Sequence, residues 1–237
     1  WGWHWHGYAC WFGCIMLMMF YTTVAGWMLL YFYQTACGAF AGLSPKEIGA
    51  AFGSMLGDPI LQVVPMVIVV ISGFLICSHG LQSGLERVTK GMMVLLLLIM
   101  VMLAVNSVFL AGASEGISFY LRPDIAKMEE IGFTNVIVAA MNQAFFTLSL
   151  GIGAMAIFGS YIPKDHALLG ESVNVAILDT LVAITSGLII IPACFAYGVE
   201  PDSGPGLIFI TLPNIFNHMA GGILWGSLFF LFMTFAA

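Results

Sequence analysis

Three residues inside one apolar stretch, Ser149, Gly151 and Gly153, have the types and spacing to open a membrane-spanning helix at its middle. Two glycines and a serine lower the cost of leaving helical geometry within residues 141–161. In hydrocarbon, a backbone that leaves the helix must find protein, water or ligand partners for its N–H and C=O groups. An interrupted span therefore lines a binding cavity, or else its small residues pack closely against a neighbouring helix. The stretch alone leaves both readings open. The first offers specific chemistry: free carbonyls bind a cation or an ammonium group, and free N–H groups bind a carboxylate, which suits an amino-acid zwitterion. Residues 149–153 are accordingly expected to be non-helical.

Asp179 is the second chemically informative residue, because it alone among Asp, Glu, Lys and Arg lies deep within an apolar span. A carboxylate in a bilayer marks an ion pathway or a proton relay, or is protonated and bonded to a neighbouring helix. Ser149 could act as a hydrolytic nucleophile only beside a base; no His or Lys falls within a span, and His166 lies in a loop. The N-terminal run Trp1-Gly-Trp-His-Trp-His-Gly-Tyr8 places His4 and His6 near Cys10 and Cys14. An H-x-H pair without further spaced ligands reads as part of an interfacial aromatic belt rather than a metal site. His79 and His218 fall in or beside loops and are expected to be solvated.

The elements that must position these residues are membrane helices. Hydrophobic residues make up 61% of the chain and charged residues 8%, which excludes an ordinary soluble domain. A net charge of −6 without a Lys/Arg run excludes a nucleic-acid footprint. The five cysteines include no CxxC pair, so they specify neither a disulfide framework nor a zinc site. Spans of about 20 apolar residues are read at 10–34, 60–77, 92–111, 134–161 (broken near 149–153), 174–198 and 221–237. The fold class is thus all-α, a polytopic membrane protein with a single transmembrane domain over 1–237. The chain has no initiating Met and its last apolar stretch has no polar flank, so an internal fragment is expected. Ser44-Pro-Lys-Glu47 forms a capping box that starts a short surface helix. Arg87, Lys90 and Lys164 in the short loops 78–91 and 162–172 place those loops in the cytoplasm. The longer loops 35–59, 112–133 and 199–220 then face outward. An ion channel built on these spans would need a repeated filter or a ring of charge, and the sequence has neither.

Four ordered motifs carry a family resemblance across nearly the whole chain. Phe145-Phe-Thr-Leu-Ser-Leu-Gly-Ile-Gly153 resembles the unwound sixth helix of the neurotransmitter:sodium symporters. Gly206-Leu-Ile-Phe-Ile-Thr-Leu-Pro213 with Ala220-Gly-Gly222 is similar to their fourth extracellular loop. Gly80-Leu-Gln-Ser-Gly-Leu-Glu-Arg87 resembles the loop between the fourth and fifth helices, and Leu121-Arg-Pro-Asp124 the loop before the sixth. The resemblance implies a leucine-transporter-like fold of two inverted five-helix repeats with a discontinuous helix, an arrangement that serves among the standard illustrations of transporter architecture. It assigns this chain helices three to eight. It also implies that a sodium-coupled symporter of amino acids or related small zwitterions works by alternating access in a bacterial inner membrane, the fragment being inactive alone.

The site residues follow from the same resemblance. Tyr21, in a Phe20-Tyr21 pair followed by Trp27, matches the hydroxyl that bonds the substrate carboxylate. Phe146 matches the aromatic lid, and Ser149, Gly151, Ile152 and Gly153 supply the unwound substrate-binding backbone. Ile152 stands where a bacterial leucine transporter of the family has a phenylalanine. Thr147 matches a ligand of the first sodium ion. Asp179, with Asn174 about one turn away, falls close to the sodium-ligating asparagine and to the position that binds chloride or replaces it with an acid, without landing on either. The backbone of Ala236 is matched to the second sodium site. Gln143, one turn before Thr147, matches a glutamine near the chloride or acidic site, and an interhelical hydrogen bond is its alternative role. Sodium ions are the implied coupling ions, no other cofactor is implied, and an ionised Asp179 would make chloride unnecessary. The implied partners are a small amino-acid-like substrate, sodium and the lipid bilayer.

Overall fold

Helices form wherever apolar residues run on without a turn signal. A computed structural model describes residues 2–78, 85–161, 167–198 and 204–236, and among them there are eleven α-helices and no strand. His79, Lys164, His166 and residues 80–84 of the cytoplasmic motif lie outside the described residues.

The first helix, α1 (Trp3–Ala36), has 34 residues. At the helical rise this is roughly 51 Å, well beyond a hydrocarbon core of about 30 Å, so its ends must reach the interfacial layers. Trp5, Tyr8 and Trp11 are exposed near its start, where amphipathic rings suit a headgroup region. With α4 (Leu85–Val108) and α9 (Leu168–Tyr197), it is long and apolar enough to cross a bilayer. The helices α2 (Pro45–Gly57) and α3 (Pro59–Ser78) meet at a 78° bend and together pass the same test. The stretch 134–161 is divided between α7 (Phe133–Thr147) and α8 (Ala154–Tyr161), and α11 (Gly222–Ala236) occupies the last span. Phe74, Leu98 and Leu178 are exposed apolar side chains on these helices.

Local chemistry sets the helix ends. Ser44 accepts the Glu47 N–H at 3.4 Å, while Glu47 Oε2 accepts the Ser44 N–H at 2.8 Å, completing the capping box of α2. Asp58 ends α2 and starts α3: its N–H donates to the Met55 carbonyl at 3.2 Å, and its Oδ1 accepts from Ile60 N–H at 2.9 Å. Two satisfied helix ends on one residue explain the sharp bend.

Loops are expected over 112–133 and 199–220, but the structure forms three helices there. These are α5 (Ala113–Leu121), α6 (Ile125–Ile131) and α10 (Gly206–His218). Asp124 of the Leu-Arg-Pro-Asp motif caps α6 by accepting the Lys127 N–H at 3.1 Å. In α10, Phe209, Leu212 and Phe216 recur at helical spacing and are buried, a pattern that ranks as helix once its partners are known.

The chain divides into two compact units, Trp1–Met19 with Arg122–Ile184, and Phe20–Leu121 with Thr185–Ala237. In the second unit α10 packs on α2 and α11. Phe209 is the hub of an aromatic cluster, with ring centroids 5.7 Å from Trp27, 4.8 Å from Tyr31 and 5.4 Å from Phe52. Gly222 lets α11 start against the backbone of Phe216, since a Cβ there would strike the Phe216 carbonyl. The first unit contains the broken segment.

Candidate ion and substrate site

The helix α7 ends in a Schellman motif. Leu150 N–H donates to the Phe145 carbonyl at 2.9 Å and Ser149 N–H to the Phe146 carbonyl at 3.1 Å, the six-to-one and five-to-two bonds that close such an end. Ser149 takes the left-handed position with φ 53°, which glycine ordinarily fills. A non-glycine residue there costs roughly 1–2 kcal/mol. Gly151 at φ 89° and Gly153 at φ 79° extend the departure from the helix, and α8 begins with Ile157 N–H on the Gly153 carbonyl at 3.1 Å. The helix is therefore open from Leu148 to Gly153.

The carbonyls of this segment fall into distinct groups. Those of Thr147, Leu148, Ser149 and Leu150 accept no hydrogen bond among the described residues. Those of Gly151 and Ile152 accept the thiols of Cys10 and Cys14, each at 3.5 Å. After the break, the first N–H groups of α8 have no intrahelical acceptor. One short stretch thus presents both polarities of free backbone group, carbonyls before the break and amides after it.

A carboxylate stands beside the carbonyl group. Thr147 Oγ1 donates to Asp179 Oδ1 at 2.9 Å, which joins the last residue of α7 to α9, and Asp179 is half-buried. The Asp179 Oδ2 atom takes no hydrogen bond among the described residues, so the pair offers a carboxylate oxygen and a hydroxyl, both hard oxygen donors, next in the chain to the free carbonyls of 147–150. Such donors suit an alkali or other hard cation rather than a soft metal.

The other expected site residues are placed as follows. Gln143 lies one turn before Thr147 on α7, is exposed, and has no side-chain hydrogen bond among the described residues. Asn174 is exposed on α9, five residues before Asp179 and so about 140° around the helix, and nothing joins it to Thr147 or Asp179. Phe146 is exposed and Ile152 is half-buried in the first unit. Tyr21 belongs to the second unit, where its ring meets Phe20 edge-on at 5.9 Å. Ala236 ends α11 in the same unit, so its carbonyl is among the four that a helix leaves without an internal partner. Sequence reasoning did not assign Cys10 and Cys14 to the broken segment. Their i, i+4 spacing on a helix was a visible signal, but their partners are main-chain carbonyls, which no residue pattern identifies.

The chain as a whole has known relatives. The model of the sodium:neurotransmitter symporter family matches residues 54–237. The chain is 34% identical to the sodium-dependent transporter YhdH of Bacillus subtilis over 98% of its own length and 50% of that protein's. A sodium-dependent transporter of Haemophilus influenzae is 31% identical over the same shares. Among solved structures, MhsT in complex with L-phenylalanine is similar at a TM-score of 0.84 and 39% identity, over 92% of this chain and 49% of MhsT. The chain thus spans about half the length of these proteins.

Proposed function

Since this chain belongs to the sodium:neurotransmitter symporter family, we propose that it is the central part of a sodium-coupled symporter for amino acids or related small zwitterions. The observation that carries this reading is the Thr147–Asp179 pair beside the unpaired carbonyls of 147–150, which together supply oxygen donors and negative charge for sodium. The substrate ammonium would use the same electronegative end of the break, and its carboxylate the N–H groups at the start of α8. That division of labour meets both charges of a zwitterion with backbone groups, to which Tyr21 would add, and leaves the side chain to be selected by Phe146 and Ile152. The relative solved with L-phenylalanine supports a large apolar amino acid as substrate.

The family resemblance gives Tyr21 the substrate carboxylate, Gln143 polar support near the ion, and the Ala236 carbonyl a second sodium ion, while Asn174 faces another side of α9 and is left out of that shell. Asp179 supplies the fixed negative charge, so chloride is dispensable. The integral membrane protein would reside in a bacterial inner membrane. Sodium and substrate bind together, Phe146 closes over them, and inward opening releases both.

The test is uptake of a radiolabelled amino-acid panel by the full-length transporter in proteoliposomes, with and without an inward sodium gradient. Uptake of at least one large apolar amino acid that needs sodium and proceeds in chloride-free buffer is expected. Uptake indifferent to sodium would overturn the symporter reading, and strict chloride dependence would overturn the role of Asp179.

A further inference from the structure

Cys10 and Cys14 stand one turn apart on α1, both half-buried and both free thiols. Each Sγ–H donates at 3.5 Å to one of two consecutive carbonyls of the open segment, Cys10 to Gly151 and Cys14 to Ile152. The segment rests directly on this face. A Cβ on Gly153 would lie 3.6 Å from Cys10 Cβ, and one on Gly13, between the cysteines, would lie 4.0 Å from Ile152 Cγ2. Cys10 Sγ also lies 3.5 Å from His6 Nε2, which extends the polar edge of α1 by a further turn.

We propose that Cys10 and Cys14 are positioning residues of the ion and substrate site, a role that rests on the symporter reading above. An unpaired carbonyl in an apolar setting is expensive, and two of them side by side would pull the open segment toward any competing donor. By taking the Gly151 and Ile152 carbonyls, the thiols leave those of 147–150 as the free oxygens of the run. The choice of thiol is informative. A thiol is a weak donor compared with a hydroxyl, so it satisfies a carbonyl while holding it loosely enough for the segment to rearrange during a transport cycle.

The experiment compares Cys10→Ala with Cys14→Ala, made together, against Cys10→Ser with Cys14→Ser, in the full-length transporter. Alanine and serine differ little in size but only serine keeps a donor. The sodium concentration for half-maximal uptake should rise about three- to tenfold in the alanine pair and stay within about twofold of wild type in the serine pair. Amide exchange over 149–153 should be faster in the alanine pair than in the serine pair. Identical behaviour of the two pairs in both measurements would reduce the cysteines to packing and overturn the proposal. If wild-type protein shows no sodium-dependent uptake, the symporter reading fails, and amide exchange alone still decides the thiol contact. Should the alanine pair not fold, N-ethylmaleimide labelling of the wild-type thiols decides: labelling slowed by sodium supports the role, and labelling indifferent to sodium overturns it.

Discussion

Three helices among the described residues carry an internal proline and continue through it, whereas one proline-free stretch opens. Pro65 lies inside α3, Pro192 inside α9 and Pro213 inside α10, and all three helices continue through them. The segment 148–153 contains no proline, yet the helix stops at Thr147 and resumes at Ala154. The contrast is sharpest between this segment and α10. Proline removes one N–H and strains one turn, a penalty of about 3 kcal/mol that packing can offset. In α10 the burial of Phe209, Leu212, Ile215 and Phe216 supplies that packing. The open segment has three residues in the left-handed region instead, and these change the direction of the chain rather than removing a single bond. A helix in a membrane protein is therefore opened by backbone conformation, and a missing donor alone does not do it.

The largest test of this contrast is Phe209→Ala. The ring is 1% exposed and touches three other aromatic side chains, so its loss should destabilise the protein by about 3–5 kcal/mol. Thermal melting in detergent should show the drop. A variant that melts like wild type would mean that packing does not hold α10 helical through Pro213.

Asp179→Ser probes the open segment. It removes the carboxylate bonded to Thr147, and with it the negative charge proposed to balance sodium. Sodium affinity should fall about ten- to hundredfold, within the few kcal/mol that one close charge contact contributes near a protein surface. Added chloride should recover part of the uptake. Unchanged sodium affinity would detach the carboxylate from the ion.

Smaller effects should come from Ser149, whose left-handed backbone strains any residue with a Cβ. Ser149→Gly should stabilise the end of α7 by up to about 1 kcal/mol, and Ser149→Val should destabilise it by a similar amount or more. Denaturant titration of the two variants checks the order. The reverse order would mean that the serine hydroxyl, rather than the backbone angle, holds the turn.

The smallest effect concerns a helix start that is satisfied by side chains. In the loop after α1, hydrogen bonds from the Ser44 backbone and hydroxyl hold the Glu47 carboxyl below the usual carboxylate range. A depressed pKa means that the cap stabilises fully above the ordinary carboxylate range and loosens as pH falls through the lowered value. Amide exchange at the start of α2 should accelerate in acid, while Glu47→Gln should remove this pH dependence.

The comparison also shows how far the sequence could be read. The Ser149, Gly151 and Gly153 break was legible because glycine and serine have a known conformational meaning, and the capping box of α2 because its two partners are three residues apart. By contrast, the sequence over 206–218 reads as loop. Its apolar residues repeat at helical spacing, but a helix of 13 residues with an internal proline has no local claim to be buried. That claim comes from Trp27, Tyr31 and Phe52, which are far away in sequence.

The sequence by itself determined the membrane class, the family, the position of the break and the presence of one intramembrane acid. These depend on composition and on short-range rules that each residue carries with it. An ionised Asp179 is expected near Thr147 and Gln143, and the tertiary structure supplies the bond to Thr147 across 32 residues; it alone decided that two cysteines near the N-terminus occupy carbonyls 138 or more residues away. The physical reason is that a hydrogen bond to a backbone carbonyl leaves no mark on the accepting residue. Any residue can offer that oxygen, and only the path of the chain determines which donor reaches it.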